Sequence, residues 1–285
     1  MALVIRPAAK DDAEALGKIA YEAFYKISTD HAFPPDFASP DSAIGFMKMA
    51  TAHPEVFGVV AEVDGRIAGS NFLWEQSDIG GVGPITGDPK AQNANAGRAL
   101  MNAVLDRIAA TGRPGVRLVQ AAYHNRSLSL YTKLGFDPRE PLAVMQGGAL
   151  GGNMPGYTVR PAKMDDLDAC NALCRRVHGH DRTGEVRDAI KQGTAALVEH
   201  DGRVTGYTTT IGFFGHTLGE TNNEVKALIA AAPAIAGAGM LVPTRNAELF
   251  RWCLTNGLRV VQPMTLMSRG LYNEPRGAFL PSIIF

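Results

Sequence analysis

Three short sequence features occur twice in this chain, in the same order, and this internal repeat limits the possible folds more than any other property. They are an Arg-Pro-Ala word followed by paired aspartates, an Asp-Gly-Arg turn, and a glycine that ends a helix. The two copies lie at 5–12 and 159–166, at 64–66 and 201–203, and at 134–136 and 256–258. The offset falls from 154 to 137 and then to 122 positions, so the second copy is shorter between its features. A duplicated fold with a reduced second copy is therefore predicted.

A glycine-rich stretch separates the two copies. It runs over 146–156, and segments of this composition are typical of linkers between domains. The length of 285 residues suits two domains of ordinary size. We therefore predict one domain over 1–150 and a second domain over 151–285.

The hydrophobic periodicity of the first copy predicts strands interleaved with helices. Read in order, it gives strand 3–6, helix 11–26, a polar, proline-containing segment and helix over 30–52, strands 56–63, 66–76 and 81–86, helix 97–111, strand 116–122, helix 125–134 and strand 142–146. This order predicts an α/β fold, and the early hairpin makes its sheet mixed. The apolar run over 279–285 is expected to pack as a final strand or an extended arm.

Charge and cysteine content argue against several classes of function. Lys plus Arg and Asp plus Glu both number 28, so no net field favours nucleic acid or an anionic membrane. No apolar run approaches the ~20 residues that span a bilayer, and the first residues lack a secretion signal. The three cysteines, Cys170, Cys174 and Cys253, fit a reducing cytoplasm, and we expect them to pack in the core rather than to bind a metal.

The segment 92–136 contains the residues that suggest chemistry. The loop over 92–98 precedes a helix, and backbone amides at a helix N-terminus form an anion site. Gly97 allows close backbone approach, and Arg98 adds a positive charge. Tyr131 lies on the next helix, where a phenol can donate a proton to a leaving group. From these residues alone, an ordinary capped loop and a half-buried tyrosine stay open as alternatives.

Taken together, the motifs resemble the GNAT superfamily of acyl-CoA N-acyltransferases in a tandem form. The phosphate loop of that family is similar to Gln92-x-x-Asn95-x-Gly97, and its downstream motif is similar to Asn125, Leu130-Tyr131 and Gly135-Phe136. Asn95 stands where the family usually has glycine, and asparagine tolerates left-handed backbone geometry better than most residues. The resemblance implies two tandem GNAT folds, each a mixed, mostly antiparallel sheet flanked by helices.

The resemblance also implies roles for particular residues. The residues that would contact acetyl-CoA are Val82, Ile85 and Thr86 on one strand, Gln92, Asn93, Ala94, Asn95, Ala96, Gly97 and Arg98 in the phosphate loop, and Asn125, Ser127 and Tyr131 on the following helix. Tyr131 would be the general acid that protonates the leaving thiolate. The strand over 116–122 would separate from its neighbour over 82–86 to admit the pantetheine arm. No metal is expected.

The general base stays open among three residues. An attacking ammonium must first lose a proton, which a side chain or an ordered water can accept. Glu75 and Asp78 precede the strand over 81–86, and His124 follows the strand over 116–122. Each of them could equally be a surface residue.

The second copy lacks the residues that suggest catalysis. Glu220 and Glu224 occupy the region of the phosphate loop, and carboxylates oppose a pyrophosphate. Alignment of the helix-ending glycines places Cys253 at the position of Tyr131. We therefore expect a degenerate, non-catalytic second domain that walls the substrate cleft or supplies an interface.

The sequence thus predicts a cytoplasmic N-acetyltransferase, monomeric or homodimeric, that transfers an acetyl group from acetyl-CoA to a primary amine on a small molecule or peptide. The alternative is a non-catalytic sensor or interaction protein that keeps the fold and binds coenzyme A. Another nucleotide-binding α/β protein is a weaker alternative. The loop lacks the Gly-Lys-Ser/Thr ending for ATP, and it lies too deep in the chain for the first-strand fingerprint of NAD binding. The acceptor stays open among small amines, amino acids, aminoglycoside-like compounds and peptide N-termini.

Overall fold

The computed structural model describes residues 2–89 and 95–284. The elements of the first half are β1 (Leu3–Pro7), α1 (Ala13–Asp30), α2 (Pro40–Ala52), β2 (Val56–Val63), β3 (Arg66–Trp74), β4 (Gly80–Val82), β5 (Thr86–Gly87), α3 (Ala96–Thr111), β6 (Gly115–Ala121), α4 (Asn125–Lys133) and β7 (Asp137–Gln146). Their order is the predicted one. The strand predicted over 81–86 is divided into β4 and β5, and the last strand begins at Asp137 rather than at 142.

The second half repeats this order. Its elements are β8 (Thr158–Pro161), α5 (Leu167–His178), α6 (Thr183–Gln192), β9 (Ala196–His200), β10 (Arg203–Thr208), β11 (Thr217–Gly219), α7 (Asn222–Ala231), β12 (Met240–Pro243), α8 (Ala247–Thr255), β13 (Arg259–Gly270) and β14 (Ala278–Leu280). Of the C-terminal run expected to form a strand or an arm, the first residues lie in β14, and 281–284 continue outside any strand. Across 2–89 and 95–284, no helix is both long and apolar enough to cross a membrane.

The same ion-pair network occurs at the start of both halves and supports the duplication. In each half, an arginine on the first strand binds an aspartate in the next turn and a glutamate on the second strand. The partners are Arg6, Asp12 and Glu62 in the first half, and Arg160, Asp166 and Glu199 in the second, at N–O distances of 2.7 to 3.0 Å. Bidentate arginine–carboxylate pairs fix geometry as well as charge. The corner formed by the first strand, the next turn and the second strand therefore has the same local geometry in both halves.

Side chains along β2 and β3 alternate between the two faces of their sheet, and a hydrophobic core lies on each face. Val60 and Phe72 pack with side chains of α1 and α2. Val59 and Leu73, their neighbours in sequence, pack with side chains of α3. Successive strand residues point to opposite faces, which is why two strands supply both cores. Each fully buried side chain of this size stabilises the fold by about 1.5–3 kcal/mol.

The two halves exchange a strand. The larger sheet has the order β1-β2-β3-β4-β6-β13-β7-β12, with β5 paired to β3. β13 of the second half therefore lies between β6 and β7, and β7 of the first half lies between β13 and β12. Among the named strands of the described residues, β4 and β6 alone pair in parallel, so the sheets are mixed and mostly antiparallel, as predicted. The boundary near residue 150 lies between β7 and β8 and stays a prediction, because strand pairing crosses it.

Candidate functional site

β4 and β6 begin as paired strands and then separate, and a cavity opens between them. Their pairing is confined to Gly80 with Val116 and Gly81 with Arg117. Beyond Val82 a cavity of about 690 Å³ lies between the strands. The predicted separation of these two strands is therefore confirmed. Because the strands separate, a ligand in an extended conformation could reach their backbone groups.

An extra residue between β4 and β5 turns this backbone toward the cavity. Val82 pairs with Leu73 and Thr86 pairs with Ser70. The two pairs are therefore four residues apart on one strand and three residues apart on β3. A bulge of this kind bends the strand and leaves backbone groups without a ladder partner. Val82, Ile85 and Thr86, the strand residues predicted to contact the cofactor, all line the cavity.

The first turn of α3 forms another part of the cavity wall. The lining residues there are Asn95, Ala96, Gly97 and Arg98. Asn95 has φ 56°, the left-handed conformation that asparagine was expected to tolerate here. The first N–H groups of a helix lack intrahelical partners, so this end favours an anion. The predicted contacts Gln92, Asn93 and Ala94 lie outside the described residues.

α4 brings Tyr131 to the cavity wall. Leu128 and Leu134 pack into the core beside it, and Tyr131 itself is 7% exposed. Burial raises the pKa of the Tyr131 phenol above its usual value, so the phenol is protonated at neutral pH. That is the form a general acid needs. Ser127 also lines the cavity, whereas Asn125 is exposed at the start of α4 and is not among the lining residues.

Two of the three predicted bases lie away from the cavity. The Glu75 carboxylate forms ion pairs with Arg107 at 3.0 Å and Arg113 at 3.4 Å. Asp78 is exposed in the turn before β4. Neither side chain is among the lining residues, so the geometry favours a structural role for Glu75 and a solvated one for Asp78.

His124, the third predicted base, lines the cavity at the start of α4. Burial, together with the nearby charges of Arg126 and His31, lowers the pKa of its imidazole. The ring is therefore neutral at pH 7 and able to accept a proton.

Asp36 is a lining residue that the sequence analysis did not identify. It lies between α1 and α2 and accepts a 2.9 Å hydrogen bond from Gln262 Nε2 of the second half. Tyr123 Oη donates to Gln262 Oε1 at 3.0 Å, so the amide is held from both sides. Burial raises the pKa of Asp36 to about 6. The signal in the sequence was a charged residue within the apolar run at 33–37, an unusual neighbourhood for a carboxylate.

The second half supplies the remaining wall of the cavity. Its lining residues are Phe213, Phe214, Met264, Ile283 and Ile284. The backbone N–H of Ile283 donates to the carbonyl of Phe213 at 2.9 Å, which holds the C-terminal segment in place. The second half thus forms part of the wall of this cavity, and its expected role beside a substrate stays a prediction.

The corresponding opening in the second half is filled by the chain itself. β14 pairs antiparallel with β11 and packs against β12. Cys253, at the position matching Tyr131, is buried, and burial raises its pKa to about 12. Glu224 caps α7 by accepting hydrogen bonds from the Thr221 backbone and hydroxyl, at 2.8 and 2.6 Å. Glu220 binds Arg203. Both carboxylates therefore have structural partners.

A group of potential metal ligands lies outside the cavity. The donor atoms of His53, Glu55 and Asp188 come within 4.8 Å of one another. Arg187 already binds Glu55 at 2.5 Å, and Gln76 binds Asp188 at 2.6 Å. The expectation that no metal takes part stays a prediction.

Comparisons with known proteins agree with this geometry. Residues 14–136 match the profile of the Acetyltransferase (GNAT) family. A Pyrococcus horikoshii protein provisionally described as an acetyltransferase is similar over 99% of this chain and 92% of its own, with TM-score 0.73 and 14% identity. A GCN5-related N-acetyltransferase from Sphaerobacter thermophilus is similar over 95% and 96%, with TM-score 0.60 and 14% identity.

A tandem GNAT protein from the clavulanic acid biosynthesis pathway is also similar. The likeness covers 94% of this chain and 98% of that protein, with TM-score 0.59 and 13% identity. At these identities the likenesses show the fold alone. No curated protein matches the chain.

Proposed function

We propose that this chain transfers an acetyl group from acetyl-CoA to a primary amine, because residues 14–136 match the Acetyltransferase (GNAT) family. One observation carries the proposal. The first turn of α3, the bulged strand backbone and Tyr131 line one cavity between separated strands. An anion site, a hydrogen-bonding edge and a proton donor are the three parts that transfer from a coenzyme A thioester needs.

The cofactor would lie across these three parts. The pyrophosphate would accept hydrogen bonds from backbone amides in 92–98, and Arg98 would add positive charge. The pantetheine arm would extend along Val82–Thr86 as an added strand, because its amides match the unpaired backbone groups there. Ser127 and Asn125 would contact the arm from α4.

The chemistry then requires one acid and one base. The ammonium first gives a proton to a base, and the neutral amine attacks the carbonyl carbon of the thioester. The C–S bond breaks as the amide C–N bond forms, and the thiolate takes the phenolic proton of Tyr131. The amide nitrogen loses its second proton, so one acetyl group moves and one proton is released overall. Of the three bases predicted from sequence, His124 is the one that lines the cavity.

The second half would be non-catalytic toward acetyl-CoA. Its matching opening holds β14, and its matching acid position holds Cys253. Its contribution to the reaction would be the wall formed by Phe213, Phe214 and the C-terminal segment. A cytoplasmic location and a monomeric or homodimeric state stay predictions.

A coenzyme A sensor is the second candidate, because the anion site and the strand edge would serve binding alone. Two measurements on the full chain separate the candidates: calorimetric titration with coenzyme A, and thiol release from acetyl-CoA across a chemically mixed amine panel. We expect binding of one coenzyme A per chain and amine-dependent thiol release. Binding without thiol release on any amine would favour the sensor. Absence of binding would remove both.

A further inference from the structure

The cavity has two chemically different ends. Toward α3 and α4 it carries positive charge, from Arg98 and Arg126. Toward α1 and α2 most of the lining is aromatic and aliphatic, with Lys26, Asp30 and Asp36 as charged members, and the second half contributes to it. Because the positive end suits the coenzyme A phosphates, the apolar end is where the acceptor would enter.

A continuous series of aromatic rings crosses the apolar end. Phe24 contacts Phe37 with ring centroids 5.8 Å apart, and Phe37 contacts Phe46 at 6.0 Å. Phe46 stacks on Phe214 of the second half at 5.1 Å. Phe214 is 38% exposed although it is a large aromatic residue. Exposed aromatic surface that continues a cavity wall is typical of a ligand site, and flat rings favour a flat partner.

Among the described residues, three carboxylates line the cavity, those of Asp30, Asp36 and Asp88, and Asp36 is the one held by an amide of the second half. Lys26 and Asp30, both exposed on α1, pair with each other at 2.7 Å. Asp36 is held by the neutral Gln262 amide, and the raised pKa follows from burial. A ligand ammonium that paired with the carboxylate would offset the energetic cost of burying its negative charge. The carboxylate of an amino acid would meet a like charge there.

We propose that the acceptor is a primary amine on a flat apolar body, an arylalkylamine, with its ammonium on the Asp36 carboxylate and its ring against Phe46 and Phe214. This assignment rests on the proposed acetyl transfer. Asp36 takes one proton from the ammonium, and the neutral nitrogen attacks the thioester carbon. Asp36 is the proton acceptor in this assignment because the ammonium pairs with its carboxylate.

Polar amines fit this end poorly. Hydroxyl or further ammonium groups of an aminoglycoside or a polyamine would lie against phenylalanine rings, and any group that does not reach Lys26, Asp30 or Asp36 would have no hydrogen-bond partner among the described side chains there. Leaving such groups unpaired costs about 1–3 kcal/mol each. An aromatic body, in contrast, gains about 25 cal/mol for each Å² removed from water.

The test compares thiol release from acetyl-CoA with 2-phenylethylamine, tryptamine, spermidine, lysine and kanamycin, using the full chain. We expect kcat/KM for the two arylalkylamines to exceed that for the polar amines by at least about tenfold. Turnover that favours the polar amines would overturn the acceptor class and leave the proposed transfer standing. Thiol release with none of the amines would overturn both.

Two variants, each with a control, test which residues cause the preference for arylalkylamines. Phe214→Ala should raise KM for 2-phenylethylamine about tenfold and leave coenzyme A binding unchanged. Tyr25→Ala, which removes a 47%-exposed aromatic residue of α1 outside the cavity, is its control. Asp36→Asn should lower kcat/KM about a hundredfold, whereas Asp106→Asn on α3 should not change it. An unchanged KM in Phe214→Ala, or an unchanged kcat/KM in Asp36→Asn, would contradict the assignment.

Discussion

The opening between β4 and β6 and the one between β11 and β12 arise from the same duplicated fold, but their contents differ. The first opening is a cavity of about 690 Å³. The second contains β14, which pairs with β11 over Thr217–Gly219 and occupies the edge that a ligand would otherwise use. The residues just after β14 then line the first cavity. One C-terminal segment therefore fills one opening and walls the other.

The difference shows how a duplicated fold can fill one opening with its own chain and leave the other as a cavity. In the first half, the strand residues Val82–Thr86 and the first turn of α3 line a cavity. In the second half, the same edge is satisfied by backbone pairing, and Leu280 and Ala278 join the hydrophobic core. A filled opening contributes packing and hydrogen bonds, whereas an open one keeps polar groups available for a ligand.

The largest expected difference between the halves is catalytic. Tyr131→Phe removes the phenolic proton with little change in volume, so turnover should fall by about 10²–10⁴-fold while coenzyme A still binds. Cys253→Ala, at the matching position, should leave turnover unchanged. Steady-state thiol release and calorimetric binding on both variants measure the contrast. Equal losses in the two variants would mean that the halves share the chemistry.

A smaller difference is expected at the helix N-termini. A Cβ at Gly97 would meet Leu130 Cδ2 at 3.7 Å as its nearest described contact, so Gly97→Ala should fold normally. The added methyl group would obstruct a pyrophosphate, and coenzyme A affinity should fall by a factor of ten or more, about 1.4 kcal/mol or above. Asn223→Ala, at the second helical position of α7, is the matched control. Titration with coenzyme A should show no change for the control; a loss there would place binding in the second half.

The cavity carboxylate should reduce stability at neutral pH. Folding raises the pKa of Asp36 from 3.8 to about 6, so its contribution to stability is present below 3.8 and is lost as pH rises through 6. Asp36→Asn, neutral throughout, should exceed the wild type by on the order of 1–2 kcal/mol at pH 8 and match it near pH 4. Urea unfolding at several pH values measures this. A difference independent of pH would show that Asp36 is not the group that titrates.

The pH dependence of activity should run in the opposite direction. A base must be deprotonated, so kcat/KM should rise as pH increases through about 6. The Asp36→Asn variant should lose this limb of the profile. A wild-type limb that persists in the variant would point to His124 instead.

The smallest expected effects should be equal in the two halves. Asp12→Asn and Asp166→Asn each weaken an arginine pair at a corresponding corner, so each should cost about 1 kcal/mol. The arginine holds the pKa of each aspartate below its usual value. Thermal unfolding of both variants checks this. A large difference would show that the corners are no longer equivalent.

Local sequence was sufficient for much of the fold. The repeated words predicted the duplication because each specifies a short-range structure: a strand end, a hairpin turn, a helix end. The residues over 92–136 predicted α3, β6 and α4, and the placement of Gly97 and Tyr131 at one cavity follows from that order. Asn95 could be expected to adopt a left-handed conformation because that preference belongs to the residue itself.

Tertiary structure decided what the cavity contains. Strand exchange places β13 beside β6, and Gln262 on β13 then holds Asp36, some 226 positions earlier in the chain. Phe214 and Ile284 reach the same cavity from the second half. Glu75, a candidate base by sequence position, instead pairs with Arg107 and Arg113. Periodicity and turn signals report what neighbouring residues prefer, whereas strand pairing and ion pairs between distant segments depend on which surfaces meet when the chain folds. The sequence therefore determined the two copies and the order of elements around the first opening, and the tertiary structure decided which opening stays a cavity.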